Sequence, residues 1–251
     1  MTMNLDFFKK RATVRIFDDR PVGDDTLTAI IEAASHAPNT GNMQLYSVVA
    51  TTTEEGRRRL APLHFNQPAA TGAPVLLTVC ADIRRFAAWC DCRQAKTSLD
   101  NFGGYLSAIT DAAIFAQQIV TIAEENGLGC CYLGTATYNI SGFAEALGLP
   151  DGVFPLVGIA IGYPAEKEHP VSDRLPVEAV MHKERFHDYT PADIDRYYAH
   201  KESLPESEIF IRENDKQTLA QVFAEVRYPE SLNRSVADAA LTRMRIAQAK
   251  E

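Results

Sequence analysis

The sequence predicts a mixed chain of helices and strands folded around one buried helix, and three observations predict it. Ala112–Ala123 (AAIFAQQIVTIA) carries no charge, and apolar residues recur at 108, 112, 115, 116, 119, 122 and 123, with Ile114 and Val120 widening the apolar surface. A helix that is apolar on most of its faces is buried on most of them. Pro74–Cys80, Cys130–Leu133 and Val153–Ile161 are short and almost wholly apolar, as buried strands are. These segments alternate irregularly and are separated by long polar excursions.

With 251 residues the chain has length enough for one large domain or two small ones. A net charge of −8 argues against general binding to nucleic acid or to an anionic membrane, which calls for a basic surface. A local basic site for one small anion is compatible with it. No apolar run approaches a membrane span and MTMNLDFFKK lacks the apolar core of a signal peptide, so a cytoplasmic location is expected. The five cysteines, Cys80, Cys90, Cys92, Cys130 and Cys131, include no Cys-x-x-Cys and no partner histidine at zinc spacing. Neither a metal site nor a structural disulfide is expected.

In chain order, Leu5–Lys10 is a short amphipathic start with Leu5 and Phe8 on one side. In Arg11-Ala12-Thr13-Val14-Arg15-Ile16-Phe17 the two arginines share a face, and in an extended chain Thr13 joins them. Two guanidiniums and a hydroxyl suit a phosphate, since arginine presents a planar fork of donors and keeps its charge. A solvated basic strip beginning at Lys9 would look the same. Asp24-Asp25-Thr26 caps a predicted helix to about His36, with Leu27, Ile30, Ile31 and Ala34 as its buried stripe. Ala37–Gln44 is a turn-rich loop of amides and hydroxyls, groups that donate and accept as a heterocycle edge requires. A strand over Leu45–Thr51 and a helix over Thr53–Leu63 follow. His64–Ala73 is predicted as a polar loop, and Asp82 as a helix cap after the 74–80 strand. Phe86–Phe102, with the only tryptophan, Trp89, suggests a mobile or inserted segment. Asn126-Gly127 closes the central helix, and the Cys130–Leu133 strand halts at Gly134-Thr135, where bare backbone can approach a ligand. An ordinary core helix and strand would read alike. Helices are predicted over Asn139–Leu147, Ala192–His200, Leu219–Val226 and Ser235–Ala249, the last two on the surface, with a charged loop over Tyr163–Arg174.

The usual dinucleotide and nucleotide-phosphate glycine motifs are absent, as are G-x-S-x-G and H-E-x-x-H. Several other stretches occur in a telling order: Arg11–Phe17, the Ala37–Gln44 loop, Gln67 ahead of Cys80-Ala81-Asp82, Gly127-Leu128-Gly129 with Tyr132-Leu133-Gly134, then Ile161-Gly162-Tyr163-Pro164 and Arg174-Leu175-Pro176. In that order they resemble the nitroreductase superfamily of FMN enzymes, and more narrowly its NADPH-type nitroreductase and flavin reductase branch. The resemblance covers residues 1–200. The tail from Lys201 matches it only loosely.

The resemblance implies an α+β sandwich, with a mixed, mostly antiparallel central sheet flanked by helices, in an intertwined homodimer. Residues 1–200 would form the FMN-binding domain and residues 201–251 a helical extension wrapping the partner subunit. It implies that Arg11, Ala12, Thr13, Arg15 and Arg174 hold the phosphate and ribityl end, Arg15 also lying towards the flavin pyrimidine. Asn39, Thr40 and Asn42 would come from the other subunit, Gln67 would bond the ring edge, and Tyr132, Leu133, Gly134 and Thr135 would line a ring face. No protein group is implied as a catalytic acid, base or nucleophile. Arg15 gives electrostatic support, since a fixed cation beside the pyrimidine favours hydride acceptance. The implied activity is ping-pong hydride transfer from NADPH or NADH to a small electron-poor acceptor: a nitroaromatic, a quinone or free flavin. A flavin-binding protein without efficient turnover, or a narrower dehalogenation or enone reduction, are the alternatives. The sequence departs from the branch at two places. Ser172 stands where a lysine is usual, and Tyr197-Tyr198 is followed by His200 and Lys201 among Glu202, Glu206 and Glu208, where the branch has arginines for the NADPH 2′-phosphate.

Overall fold

Four strands build the sheet: β1 (Tyr46–Thr51), β2 (Val75–Asp82), β3 (Gly129–Leu133) and β4 (Val153–Gly162), in the order β1-β2-β4-β3. All three pairings are antiparallel, so an α+β architecture is present and its sheet has no parallel pair among the described strands. The structure is a computed structural model and describes residues 5–246, with side chains to residue 243. It divides into two compact units, one holding the described residues through Pro170 and those from Ser235 onward, the other Val171–Arg234.

In the first unit the helices are α1 (Asp6–Lys9), α2 (Asp24–Ala34), α3 (Glu54–Leu60), α4 (Pro68–Gly72), α5 (Arg84–Cys92), α6 (Phe102–Glu125), α7 (Thr135–Tyr138) and α8 (Ile140–Leu147). Every residue of β2 is buried, as a central strand covered on both faces must be. Val75, Leu77, Val79 and Ala81 face one core with Leu27 and Ile30 of α2 and Ala112, Phe115, Ile119 and Ala123 of α6. Leu76 faces a second core with Leu60, Ala69, Phe143 and Leu133. On the first side the Tyr46 ring stacks on Phe115 at 4.1 Å between centroids.

The central helix is longer than its uncharged stretch and ends at Asn126-Gly127 as predicted. Contrary to the sequence reading, α6 is long and apolar enough to cross a membrane. Its apolar stripe is instead packed against the sheet, because protein side chains here fill the place of lipid. Other local corrections have equally local causes. Gly23, not Asp24, is the N-cap of α2, with Asp24 and Asp25 in the first turn where they oppose the helix dipole. Ile83 is the N-cap of α5, and Asp82 just before it covers the helix start, its Oδ1 accepting from the N–H groups of Arg84 and Arg85. His64–Ala73 is no plain loop, since Pro68 opens α4 and His64 is buried. Half of the supposed insertion, through Cys92, is helical. Leu5 and Phe8 are both exposed, so α1 has no buried face.

The second unit holds α9 (Pro191–Glu202), α10 (Pro205–Glu213), α11 (Leu219–Gln221), a wider π turn over Val222–Arg227 and the start of α12 (Glu230–Ile246). The α10 helix was missed in the sequence because its acidic first turn masks a short apolar stripe. Leu219 and Val222 are buried while Ala220, Ala224, Glu225 and Val226 are exposed, so that segment lies at the surface as predicted, with one narrow buried stripe. Within the first unit, Arg243 of α12 donates to the carbonyls of Leu149, Pro150 and Val153 at 2.7–2.9 Å, and Ala239 and Ala240 pack on the core. The predicted helix end at 247–249 lies outside the described residues.

Candidate active site

The segment Arg11–Phe17 is extended, which puts Arg11, Thr13 and Arg15 on one side as the alternation requires. It runs along the open edge of β3. The Val14 N–H donates to the Cys130 carbonyl at 3.1 Å, Phe17 bridges to Pro164, and the Asp18 N–H donates to the Tyr163 carbonyl at 2.9 Å. Gly129 makes the approach feasible, because a Cβ there would stand 2.6 Å from Val14. The basic segment is thereby locked to the strand whose far end is Tyr132–Leu133–Gly134–Thr135.

The two arginines differ in environment. Arg11 donates from Nε to Glu124 of α6 at 3.1 and 3.3 Å and from Nη1 to the Thr13 hydroxyl at 3.3 Å. Burial raises the Glu124 pKa and the Arg11 guanidinium opposes the shift. Arg15 is exposed and forms none of the hydrogen bonds or ion pairs found among the described residues. Its charge reaches Cys131, whose thiol is nevertheless pushed up by burial. Ala12 sits between them, half-buried.

At the end of β3, Leu133 is buried, and the half-buried Tyr132 donates from its hydroxyl to the Gln117 amide at 3.4 Å. Gly134 is exposed, and nothing lies within 4 Å of where a Cβ would project. Thr135 is buried and its hydroxyl lies 2.6 Å from Nδ1 of His64, so that hydroxyl is not free. His64 was not singled out in the sequence. Burial lowers its pKa to about 4, which keeps the ring neutral, and it lies against Gly158, where a Cβ would come within 2.7 Å of Cε1. Gln67, three residues on, is half-buried at the N-cap of α4, and its side chain has no cap bond. The Arg11–Arg15 backbone therefore runs beside the strand that carries Tyr132–Thr135, and the His64–Thr135 bond ties to its end the turn that leads to Gln67.

The structure does not bring the amide loop to the same place. Buried Asp111 of α6 accepts from the Thr40 N–H and hydroxyl, each at 2.8 Å, and from the Leu45 N–H at 3.3 Å. The Thr40 hydroxyl is thus spent on the fold. Asn39 accepts from the Gln44 N–H at 3.2 Å, and Asn42 is exposed with φ +57°. Asp111 and Glu124 are 124 − 111 = 13 residues apart on α6, about 20 Å along the axis. Loop and Arg11 are therefore anchored about half the length of α6 apart. Asp111 had a signal in the sequence, since it lies three after Ala108 and four before Phe115 on the apolar stripe. In the second unit Arg174 is exposed and donates to the carbonyls of its own loop, Ser172 at 3.0 Å and Asp173 at 2.8 Å.

The family model for the nitroreductase family matches residues 8–163, and the chain belongs to that family. Among individual relatives, it is 35% identical over 176 residues to a Bacillus subtilis protein named FMN reductase [NAD(P)H], covering 69% of this chain and 70% of that one. It is 31% identical over 206 residues to the oxygen-insensitive NADPH nitroreductase of Salmonella typhimurium, covering 82% of each. A Bacteroides fragilis crystal structure, provisionally assigned as an oxidoreductase, superposes with a TM-score of 0.92 at 46% identity over 96% of this chain and 98% of that one.

Proposed function

We propose that this protein is an FMN-dependent NAD(P)H oxidoreductase that reduces nitroaromatics, quinones or free flavin by ping-pong hydride transfer. One observation carries the reading: the backbone beside Arg15, whose guanidinium has no partner among the described residues, is held through the Val14–Cys130 bond to the strand that ends at the open backbone of Gly134. A cation and bare, unobstructed backbone carried on one strand fit an anionic cofactor with a flat ring. FMN, when bound there, supplies the hydride chemistry, accepting from the nicotinamide and passing on to the acceptor.

The chain's own residues bind and orient. Arg15 and Thr13 hold the anionic end and Arg15 supports charge on the pyrimidine side. Gly134 lets the ring approach, flanked by Tyr132, Leu133 and Thr135, while Gln67 meets its edge. Asn39, Thr40 and Asn42 come from a second copy of the chain, supported by the anchorage of Thr40 about 20 Å along α6 from that of Arg11. The pairing surface is the outer stripe of α6, where Phe102, Leu106 and Ile114 are exposed on the side away from the core. The reading makes this an enzyme of the cytoplasm, where reduced nicotinamides are held.

The Arg11–Glu124 pair favours a second reading, a flavin-binding protein without efficient turnover, because it neutralises one of the expected phosphate cations. Stopped-flow reduction with NADH and NADPH, followed by an acceptor panel, separates the two. Bleaching of the flavin absorbance by either nicotinamide, with recovery on adding acceptor, is expected. A colour that neither nicotinamide bleaches would establish the binder.

A further inference from the structure

The turn that follows α3 adopts a sterically costly conformation twice in succession. Phe65 and Asn66 have φ of +54° and +51°. Asparagine tolerates this left-handed region, but for a bulky side chain it is an outlier. Phe65 is also 62% exposed, so packing of its ring does not account for the conformation. The turn is held by its backbone and by its neighbour. The Phe65 N–H donates to the Pro62 carbonyl at 3.0 Å, the Asn66 N–H to Ala61 at 2.9 Å and the Gln67 N–H to His64 at 3.2 Å. His64, buried, bonds Thr135 at 2.6 Å, which ties the turn to the end of β3. Phe65 is the next residue outward, its Cα one peptide step of about 3.8 Å from that of His64. Strain that the surrounding structure over-determines gathers at ligand sites.

We propose that Phe65 is a specificity-determining residue, whose exposed ring is a stacking face for planar, electron-poor aromatic acceptors and so selects them over small acceptors without a ring. The inference rests on the proposed function, which puts the cofactor ring against Gly134 and Thr135. The phenyl face is electron-rich, and withdrawing groups such as nitro or quinone carbonyl reverse that polarity in the acceptor, so offset stacking of the two is attractive. A non-aromatic anion such as ferricyanide has no face to offer.

The test is Phe65→Gly. Glycine takes positive φ without steric penalty, so the turn survives and the thermal midpoint is expected to hold or rise. The readout is the ratio of kcat/KM for p-benzoquinone to that for ferricyanide, with NADH saturating. It is expected to fall about threefold to tenfold, a typical worth of one aromatic pair, with the quinone KM carrying the change. Phe65→Tyr should restore it. A ratio altered by less than about twofold, on the same scale, overturns the proposal. So does conversion of a dimer to monomer by Phe65→Gly in sedimentation, which would make the ring a subunit contact. Wild-type protein that binds no FMN or oxidises no nicotinamide defeats the underlying reading, and that is seen before any variant is made.

Discussion

Arg11 and Arg15 lie four residues apart on one extended stretch, yet only Arg15 is free to meet an anion. Arg15→Ala should therefore weaken FMN binding by roughly 1.5–3 kcal/mol, the worth of a charge-assisted contact, or about one to two decades in Kd. Fluorescence titration of the apoprotein reads this directly, and an affinity within about twofold of wild type would reduce Arg15 to a solvated charge. His64 makes a different kind of prediction. Its folded pKa of about 4 lies below the ordinary 6.5, through burial. Between those values the unfolded chain binds more protons, so this group's contribution is whole above about pH 6.5 and is lost as pH falls towards 4. The loss amounts to about 3 kcal/mol at most. Urea unfolding across that range should show the slope in wild type and a flatter one in His64→Asn, which keeps a group at the Nδ1 position and does not titrate.

The α6 helix organises the first unit from both of its sides. Towards the sheet it supplies the apolar stripe, and at Asp111 it gathers the backbone of the amide loop. Asp111→Ala leaves buried donors unpaired and should destabilise the fold by roughly 2–4 kcal/mol, seen as a lower urea midpoint with unchanged m value. In the second unit, the residues after α9's paired tyrosines decide nicotinamide choice if they meet the 2′-phosphate, as the family resemblance implies. There His200 pairs with Asp173 at 3.2 Å, the Lys201 ammonium sits 4.7 Å over the Phe223 ring and Arg227 sits 4.7 Å over Phe210. Cations already engaged give up those contacts to meet a phosphate. A preference for NADPH well under a thousandfold, about 4 kcal/mol, or a preference for NADH, is expected. Separate kcat/KM values decide it, and a strong NADPH preference would show that other cations serve the site.

At the scale of the whole molecule, the proposed function assigns two half-sites to each chain rather than one site. The cations and the β3 floor belong to one end of α6 and the amide loop to a point about 20 Å away. A second copy packed on the exposed Phe102–Leu106–Ile114 stripe would bring unlike halves together. The protein should purify yellow, as a dimer with about one FMN per chain under that symmetry. A colourless monomer that FMN does not stabilise against heat would remove the dimer, the cofactor and the proposed activity together.

Helical spacing marked the buried helix and short apolar runs marked the strands, because both signals act over a few residues; the spacing of Arg11 and Arg15 fitted helix or strand alike, and the pairing with β3 and β4 decided it. Glycine at 127 and Asp82 likewise marked helix boundaries from within their own neighbourhood. Which side chains remain available to a ligand was decided only by tertiary structure. Thr40, Thr135 and Arg11 look like free polar groups in the sequence, but Asp111, His64 and Glu124, respectively 71, 71 and 113 residues away, engage them. A buried polar group must find a partner, and that partner is whichever residue the packing of α6 and the sheet brings near. Arg15 and Gly134 are exposed, and among the described residues no partner folds onto them.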